Sequence, residues 1–364
     1  EANKEAPRYN GRCLNLTDAD RAAFEAEGRR PAVRFRVPAE TIRFTDLIRG
    51  EVEFDNSLLG DFVIVRADGV PLYHFVVVID DEQMEISHVI RGEDHLSNTP
   101  KHIALIRALG YAEPVFGHIP LILNPDRSKM SKRKSQTAIT AYREQGYLPE
   151  AMVNFLAFLG WSPGTEEEIF SLAELADRFE IGEVHKAGAV FDQDRLDYLN
   201  GVYIRGLADA ELAARLRPFV SSALTDELLA GLVPLVKERM VRLTDAAELS
   251  GFLVEPDEVV AGWWGTEDLL PKGRTADEVA GALASARETL GAADWSADAL
   301  EVAARAAADA MGWKAGDFFR PLRIAVTGKP VSPPLFGSMV LLGREASIRR
   351  LDGALERLRA GAAA

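Results

Sequence analysis

Arg127, Lys129, Lys132, Arg133 and Lys134 lie close together directly after the apolar stretch Pro120-Leu121-Ile122-Leu123 and the turn residues Asn124-Pro125-Asp126. Ser128, Met130, Ser131 and Ser135 are interspersed among them. A strand that ends in a Pro/Asp turn and delivers that many cations forms a basic loop at a strand end. Ammonium groups held there can neutralise the charge that gathers on phosphate oxygens as a bond to phosphorus breaks. A solvated basic turn is the plain alternative. A second chemical feature is Arg91, which follows Val89-Ile90 and precedes Gly92-Glu93-Asp94-His95. A guanidinium at that place forms a bidentate pair with a carboxylate, either a ligand's or that of Glu93 or Asp94, and spacing alone favours the internal pair. Asp80-Asp81 reads either as a metal pair or as a turn between strands.

These residues belong to a longer ordered series. Lys129-Met130-Ser131-Lys132-Arg133 resembles the second signature of class I aminoacyl-tRNA synthetases. Tyr73-His74-Phe75, Val78-Ile79-Asp80-Asp81 and the run from Ser87 to Pro100 resemble the substrate-binding half of their glutamyl branch, in its bacterial type. Gly146-Tyr147-Leu148-Pro149-Glu150-Ala151, Leu159-Gly160-Trp161-Ser162, Leu196-Asp197-Tyr198-Leu199-Asn200-Gly201 and Leu322-Arg323-Ile324-Ala325-Val326-Thr327-Gly328 continue the likeness in order.

The resemblance implies an ATP-dependent ligation of L-glutamate to tRNA(Glu) through a glutamyl-adenylate, in protein synthesis. It implies Lys129 and Lys132 as the cations that serve the departing pyrophosphate, with Ser131 and Arg133 beside them at ATP. Leu121 and Ile122 would offer main-chain groups to the adenine, and Tyr73 and Arg91 would bind glutamate. His95 is either a contact to ATP or the tRNA 3′ end, or a helix-capping residue. Val77 departs from the pattern, since some members carry a polar contact there. Mg2+ is expected to arrive with ATP, held by phosphates and water. Tyr9 and Cys13 match part of a zinc site of some members, but Asn15 stands where a histidine is wanted and one thiol cannot build a tetrahedral site. No zinc is therefore expected, and Cys13 is expected to be a buried structural residue.

The family's His-Ile-Gly-His type signature has no counterpart here, and the chain opens Glu1-Ala2-Asn3. By resemblance these residues are an N-terminally shortened form, inactive alone; a non-catalytic tRNA-binding fragment or paralogue is the alternative.

The elements that must position these groups give an α/β plus all-α fold class. By resemblance residues 1–71 are the tail of an acceptor-stem-binding insertion, with strands near 33–37 and 62–66. Residues 72–124 are the second half of a Rossmann-like catalytic domain, in which apolar runs at Phe75–Ile79 and Val115–Leu123 bracket a helix opened by Thr99-Pro100 and closed by Gly110. Strand, helix, strand gives a parallel pair whose C-terminal ends receive ligands. Residues 125–205 hold the basic loop and a helical stem-contact domain. From 206 to 364 the apolar spacing is helical, as in 209–220, 226–243 and 275–290, the last opened by the capping box Thr275-x-x-Glu278. This all-helical end suits an anticodon-binding domain and sets the chain apart from glutaminyl relatives, which end in β-barrels.

Composition bounds the rest. At 364 residues, two or three domains are expected. A net charge of -14 disfavours a broadly basic nucleic-acid binder but allows one basic face. One cysteine excludes an internal disulfide framework and fits a reducing cytoplasm. No apolar run reaches the roughly 20 residues of a membrane helix, so a cytoplasmic monomer without a membrane partner is expected.

Overall fold

The strand Thr41–Asp46 shows how this chain builds its sheet. Its residues alternate between exposed and buried, so Ile42, Phe44 and Asp46 face inward. A carboxylate thus occupies a core-facing position next to two large apolar side chains. In the computed structural model, which describes residues 9–130 and 137–362, this strand is central to the sheet that carries the site.

The strands are β1 (Val33–Phe35), β2 (Thr41–Asp46), β3 (Gly50–Asp55), β4 (Phe62–Val65), β5 (His88–Gly92), β6 (Val115–Ile119), β7 (Ile122–Leu123) and β8 (Ala189–Val190). Four of them form one sheet in the order β3-β2-β6-β5. β2 and β3 are an antiparallel hairpin, while β6 runs parallel to both β2 and β5. Outside it, β1 pairs antiparallel with β4, and β7 pairs parallel with β8.

Helices α1 (Asp18–Ala26), α2 (Tyr73–Gln83) and α3 (Thr99–Leu109) complete the part that concerns the site. α3 opens with Pro100 in its first turn and stops at Gly110, whose φ of 74° no larger residue adopts without strain. Asn98 occupies the N-cap position, which leaves Thr99 as the first helical residue. A parallel pair does flank this helix, as β5-α3-β6, but its first strand is His88–Gly92 and not the expected run Phe75–Ile79.

One expectation fails here. Phe75–Ile79 is helix, inside α2, so Tyr73 opens a helix instead of lying on a strand, and Asp80 and Asp81 are helical instead of turn residues. A short apolar run does not distinguish a strand from a buried helix segment. Packing decides it: α2 lies on α3, and Val78 joins Ile42, Phe44, Ile103, Leu105 and Phe116 in one core.

The chain divides into two compact units. One takes the chain up to Thr137 together with Asn154–Asp192; the other takes Ala138–Val153 and everything from Gln193 onward. Within the first, a second core gathers Ile48, Trp161, Phe170, Leu175 and Val184. The second unit contains helices only, among the described residues. Its helix Ala276–Ala292 begins with the expected capping box, in which Thr275 Oγ1 accepts from the Glu278 N–H at 3.3 Å and Glu278 Oε2 accepts from the Thr275 N–H at 2.8 Å. Leu148, Leu212, Leu232, Val236 and Met240 fill one of its cores, and Leu283, Leu300, Phe318, Leu322 and Leu355 another.

Gly146 fixes a tight approach in this unit. Its φ is +84°, and a Cβ there would stand 2.7 Å from the backbone nitrogens of Leu243 and Thr244. Gly146→Ala combines a left-handed backbone, costing about 1–2 kcal/mol, with a backbone clash. Thermal unfolding followed by circular dichroism is expected to show a melting temperature lower by roughly 4–8 °C or more, at about 2–4 °C per kcal/mol for a unit of this size. An unchanged transition would refute the tight approach.

Candidate active site

Arg91 sits near the C-terminal end of β5, half-buried, and its hydrogen bonds among the described residues end on neutral groups. Its Nε donates to His118 Nε2 (3.2 Å), Nη1 to His102 Nδ1 (3.3 Å) and Nη2 to Thr99 Oγ1 (2.9 Å). Among the described residues no carboxylate lies within ion-pair distance of it. The internal pair that spacing favoured does not form, because both neighbouring carboxylates are engaged elsewhere. Glu93 takes the Arg49 guanidinium and also accepts from the Leu121 N–H at 3.2 Å. Asp94 takes Lys129 Nζ at 2.8 Å.

A guanidinium can only donate, and this fixes the protons on the rings around it. His118 Nε2 must accept, so the proton of the neutral ring is on Nδ1, which donates to Asp46 Oδ2 at 2.6 Å. His102 Nδ1 must also accept, so its Nε2 carries the proton and donates to His74 Nδ1 at 2.9 Å. Electrostatics agrees with this assignment. Burial pushes His102 down to about 3, helped by the positive Arg91 nearby. Burial lowers His118 as well, overriding the opposite pull of Asp46. Burial also lowers His74, with Lys101 and Arg91 adding to the effect. For Asp46, burial acts to raise the carboxyl, but hydrogen bonds from Arg49, His118 and Ile48 outweigh it and keep the group ionised. Burial lowers Arg91 from its ordinary value, opposed by Tyr73 and Asp81.

Local sequence explains how each part arrives. Asp46 ends β2, and its Oδ1 accepts from the N–H groups of Ile48 (3.0 Å) and Arg49 (2.8 Å), which shapes the turn into β3. The same oxygen accepts from the His118 N–H at 3.2 Å, tying β2 to β6. His102 and Thr99 project from the first turns of α3, and His74 from the start of α2.

Tyr73 is half exposed, its ring 5.9 Å from that of His102 and 6.3 Å from that of His95. His95 lies in the short 3-10 turn Glu93–Asn98, with Asn98 Nδ2 3.3 Å from its Nδ1. Leu121 is held at both main-chain groups, its N–H by Glu93 and its C=O by the Ala189 N–H at 3.1 Å. The Ile122 C=O accepts from the Met130 N–H at 3.0 Å. Lys129 is bridged to Leu123 and placed by the Asn124–Ser128 turn. Ser131, Lys132 and Arg133 lie outside the described residues.

Cys13 is exposed, contrary to the expected buried position; the Tyr9 hydroxyl lowers its thiol and accepts from the Cys13 N–H at 2.7 Å. Among the described residues no group of three or more His, Cys, Asp or Glu side chains is arranged to hold a metal. Sequence reasoning missed Asp46, His118, His102 and Thr99 as site residues. The inward phase of β2 at Asp46 was the available signal, since a carboxylate on a core-facing position needs a partner.

Two family models match the chain. Residues 1–198 match the catalytic domain of class I tRNA synthetases (E and Q). The chain belongs to that family. Residues 211–355 match an anticodon binding domain. Among similar relatives, a glutamate–tRNA ligase of Symbiobacterium thermophilum is 43% identical over 94% of this chain and 73% of its own length. One from Acidothermus cellulolyticus is 43% identical over 99% of this chain and 73% of its own length. A crystal structure of a glutamate tRNA ligase from Elizabethkingia meningosepticum, in complex with its amino acid, is similar with a TM-score of 0.78 and 29% identity. That likeness covers 97% of this chain and 74% of the other.

A pH dependence follows from the depressed histidines. Folding disfavours their protonation, so their contribution is complete above the ordinary imidazole value of 6.5 and is lost as pH falls below it. For His102, with a folded value of about 3, the loss runs across that whole interval, at up to about 1.4 kcal/mol per pH unit. The melting temperature is expected to drop between pH 7 and pH 5. His102→Asn, whose amide oxygen can accept from Arg91, is expected to flatten that slope; equal slopes in both proteins would contradict the neutral buried ring.

Proposed function

We propose that this protein joins L-glutamate to tRNA(Glu) at the expense of ATP, through a glutamyl-adenylate. The carrying observation is Arg91: a half-buried cation whose three side-chain hydrogen bonds to His118, His102 and Thr99 end on neutral acceptors, with no carboxylate within ion-pair distance among the described residues. Such a charge is costly unless a counter-charge arrives, and a ligand carboxylate supplies it. The position beyond the C-terminal ends of parallel strands β5 and β6 is where α/β sheets take ligands. Tyr73, half exposed beside it, contributes a phenolic group.

An acid is then told apart from its amide by physical necessity. An amide nitrogen turned toward Arg91 sets donor against donor and leaves a buried group unpaired.

In the reaction, a glutamate carboxylate oxygen attacks the α-phosphorus of ATP and pyrophosphate leaves. A ribose hydroxyl of the tRNA then attacks the acyl carbon, and AMP leaves. No protein nucleophile is needed, so positioning and charge stabilisation supply the rate. Lys129, with Lys132, Ser131 and Arg133 of the same basic stretch of sequence, serves the phosphates in this reading. Leu121 and Ile122 line the adenine, and His95 lies toward ATP or the tRNA 3′ end. Mg2+ would come with ATP, coordinated by its phosphates and water. The segment before residue 72 serves the acceptor stem and the helices from 206 onward the anticodon, with the chain acting as a monomer in the cytoplasm. No helix among the described residues is long and apolar enough to cross a membrane.

Arg91→Lys, in the complete gene product, keeps a charge but loses the fork. The KM for glutamate is expected to rise about tenfold to a hundredfold, equivalent to ~1.5–3 kcal/mol, with kcat nearly unchanged. An unchanged KM in ATP–pyrophosphate exchange would end the assignment.

Lys132→Ala is expected to act on the other parameter, slowing adenylate formation about a hundredfold or more at little cost in glutamate affinity. Single-turnover rates check this, and a fall smaller than about fivefold would remove the lysine from the phosphate role.

A further inference from the structure

We propose that Asp46 and His118 are positioning residues for glutamate recognition: the buried carboxylate sets the tautomer of His118, and the ring in turn aims Arg91. The proposal rests on the reading of Arg91 as the glutamate-binding cation.

Asp46 and His118 are 2% and 0% exposed, so both polar groups are fully withdrawn from water. A buried pair of this kind is a poor source of net stability. Its retention in a core otherwise made of Ile42, Phe44 and Phe116 therefore calls for another role. The turn into β3 accounts for only one carboxylate oxygen, because Oδ1 alone accepts from Ile48, Arg49 and the His118 main chain. Oδ2 has the His118 ring as its partner, at 2.6 Å from Nδ1.

That bond decides what Arg91 meets. With the proton held at Nδ1, Nε2 offers a lone pair to the Arg91 Nε–H. In the other tautomer an N–H would face the Arg91 Nε–H and the Thr99 hydroxyl, 3.0 Å away, and the guanidinium would have to turn or shift. The outcome matters because of donor arithmetic. Arg91 has five N–H groups; His118 takes the one on Nε, His102 one of the two on Nη1, and Thr99 one of the two on Nη2. One N–H on each terminal nitrogen remains beside the Tyr73 hydroxyl, which also interacts with the guanidinium, and two such donors suit the two oxygens of a carboxylate. His74 plays for His102 the part that Asp46 plays for His118, from the opposite side.

Asp46→Asn tests this with little disturbance elsewhere. The amide oxygen keeps the three main-chain hydrogen bonds, while the amide nitrogen now donates to His118 Nδ1 and forces the proton to Nε2. Nitrogen-15 NMR of the complete gene product with labelled histidine is expected to show His118 protonated at Nδ1, and at Nε2 in Asp46→Asn. The KM for glutamate is expected to rise about tenfold or more, with kcat within about threefold, as fits a lost ground-state contact. In a His118→Gln background, whose amide oxygen accepts from Arg91 without help, Asp46→Asn is expected to change the KM less than about threefold.

A wild-type His118 protonated at Nε2 overturns the proposal even if Asp46→Asn fails to fold. So does a flipped tautomer with an unchanged KM, or an equal effect of Asp46→Asn in both backgrounds. Arg91→Lys separates the two levels. If it raises the KM while the flipped tautomer does not, only the positioning role falls; if it leaves the KM unchanged, the glutamate reading falls first.

Discussion

A guanidinium donates and never accepts, and the site is arranged around that limit. Once Arg91 is placed inside the first unit, each group it touches must present a lone pair. His118, His102 and Thr99 do so, and the protons of two imidazoles are thereby assigned without reference to pH. Supporting groups follow at the next remove, Asp46 behind His118 and His74 behind His102. The β2–β3 turn, the pairing of β2 with β6 and the first turns of α2 and α3 are the structural means by which those lone pairs are delivered.

The negative charges nearby are distributed with equal consequence. Glu93 and Asp94 stand two and three residues after Arg91, yet each is matched with another cation, Arg49 or Lys129. The two matches differ in kind. Arg49 and Glu93 are mostly withdrawn from solvent, with side chains 17% and 26% exposed, and Glu93 also holds the Leu121 N–H. Lys129 and Asp94 are about half exposed, and a pair in that setting contributes about 0–1 kcal/mol. The inner pair is structural, whereas the outer one costs little to open.

What could be read in the sequence depended on how far the partners lie apart along it. The Asn124–Ser128 turn ahead of Lys129 was legible because its residues are neighbours, and the placement of Arg91 because a strand end and its turn fit within a few residues. The helical second unit was legible from apolar spacing and from the Thr275–Glu278 box. Phe75–Ile79 was misread, since Val76, Val77 and Ile79 favour a strand locally while contact with α3 makes them helical, within Tyr73–Gln83. Cys13 was expected inside and lies outside, because nothing in one cysteine's local sequence specifies what covers it. Asp46 and His118 were invisible for a simpler reason: 72 residues separate them, and only the sheet brings them together.

That separation has a kinetic side. The contacts that define the site span long stretches of chain: Asp46 to His118, Arg49 to His118, Arg49 to Glu93, Arg91 to His118. Closing loops of this length costs entropy that only a formed sheet repays, and such contacts are made late. A partly folded chain with its helices in place and β2 not yet docked on β6 therefore has no oriented guanidinium. On the proposed reading, a carboxylate ligand at Arg91 binds only the completed topology, and by mass action it draws the population toward that folded state.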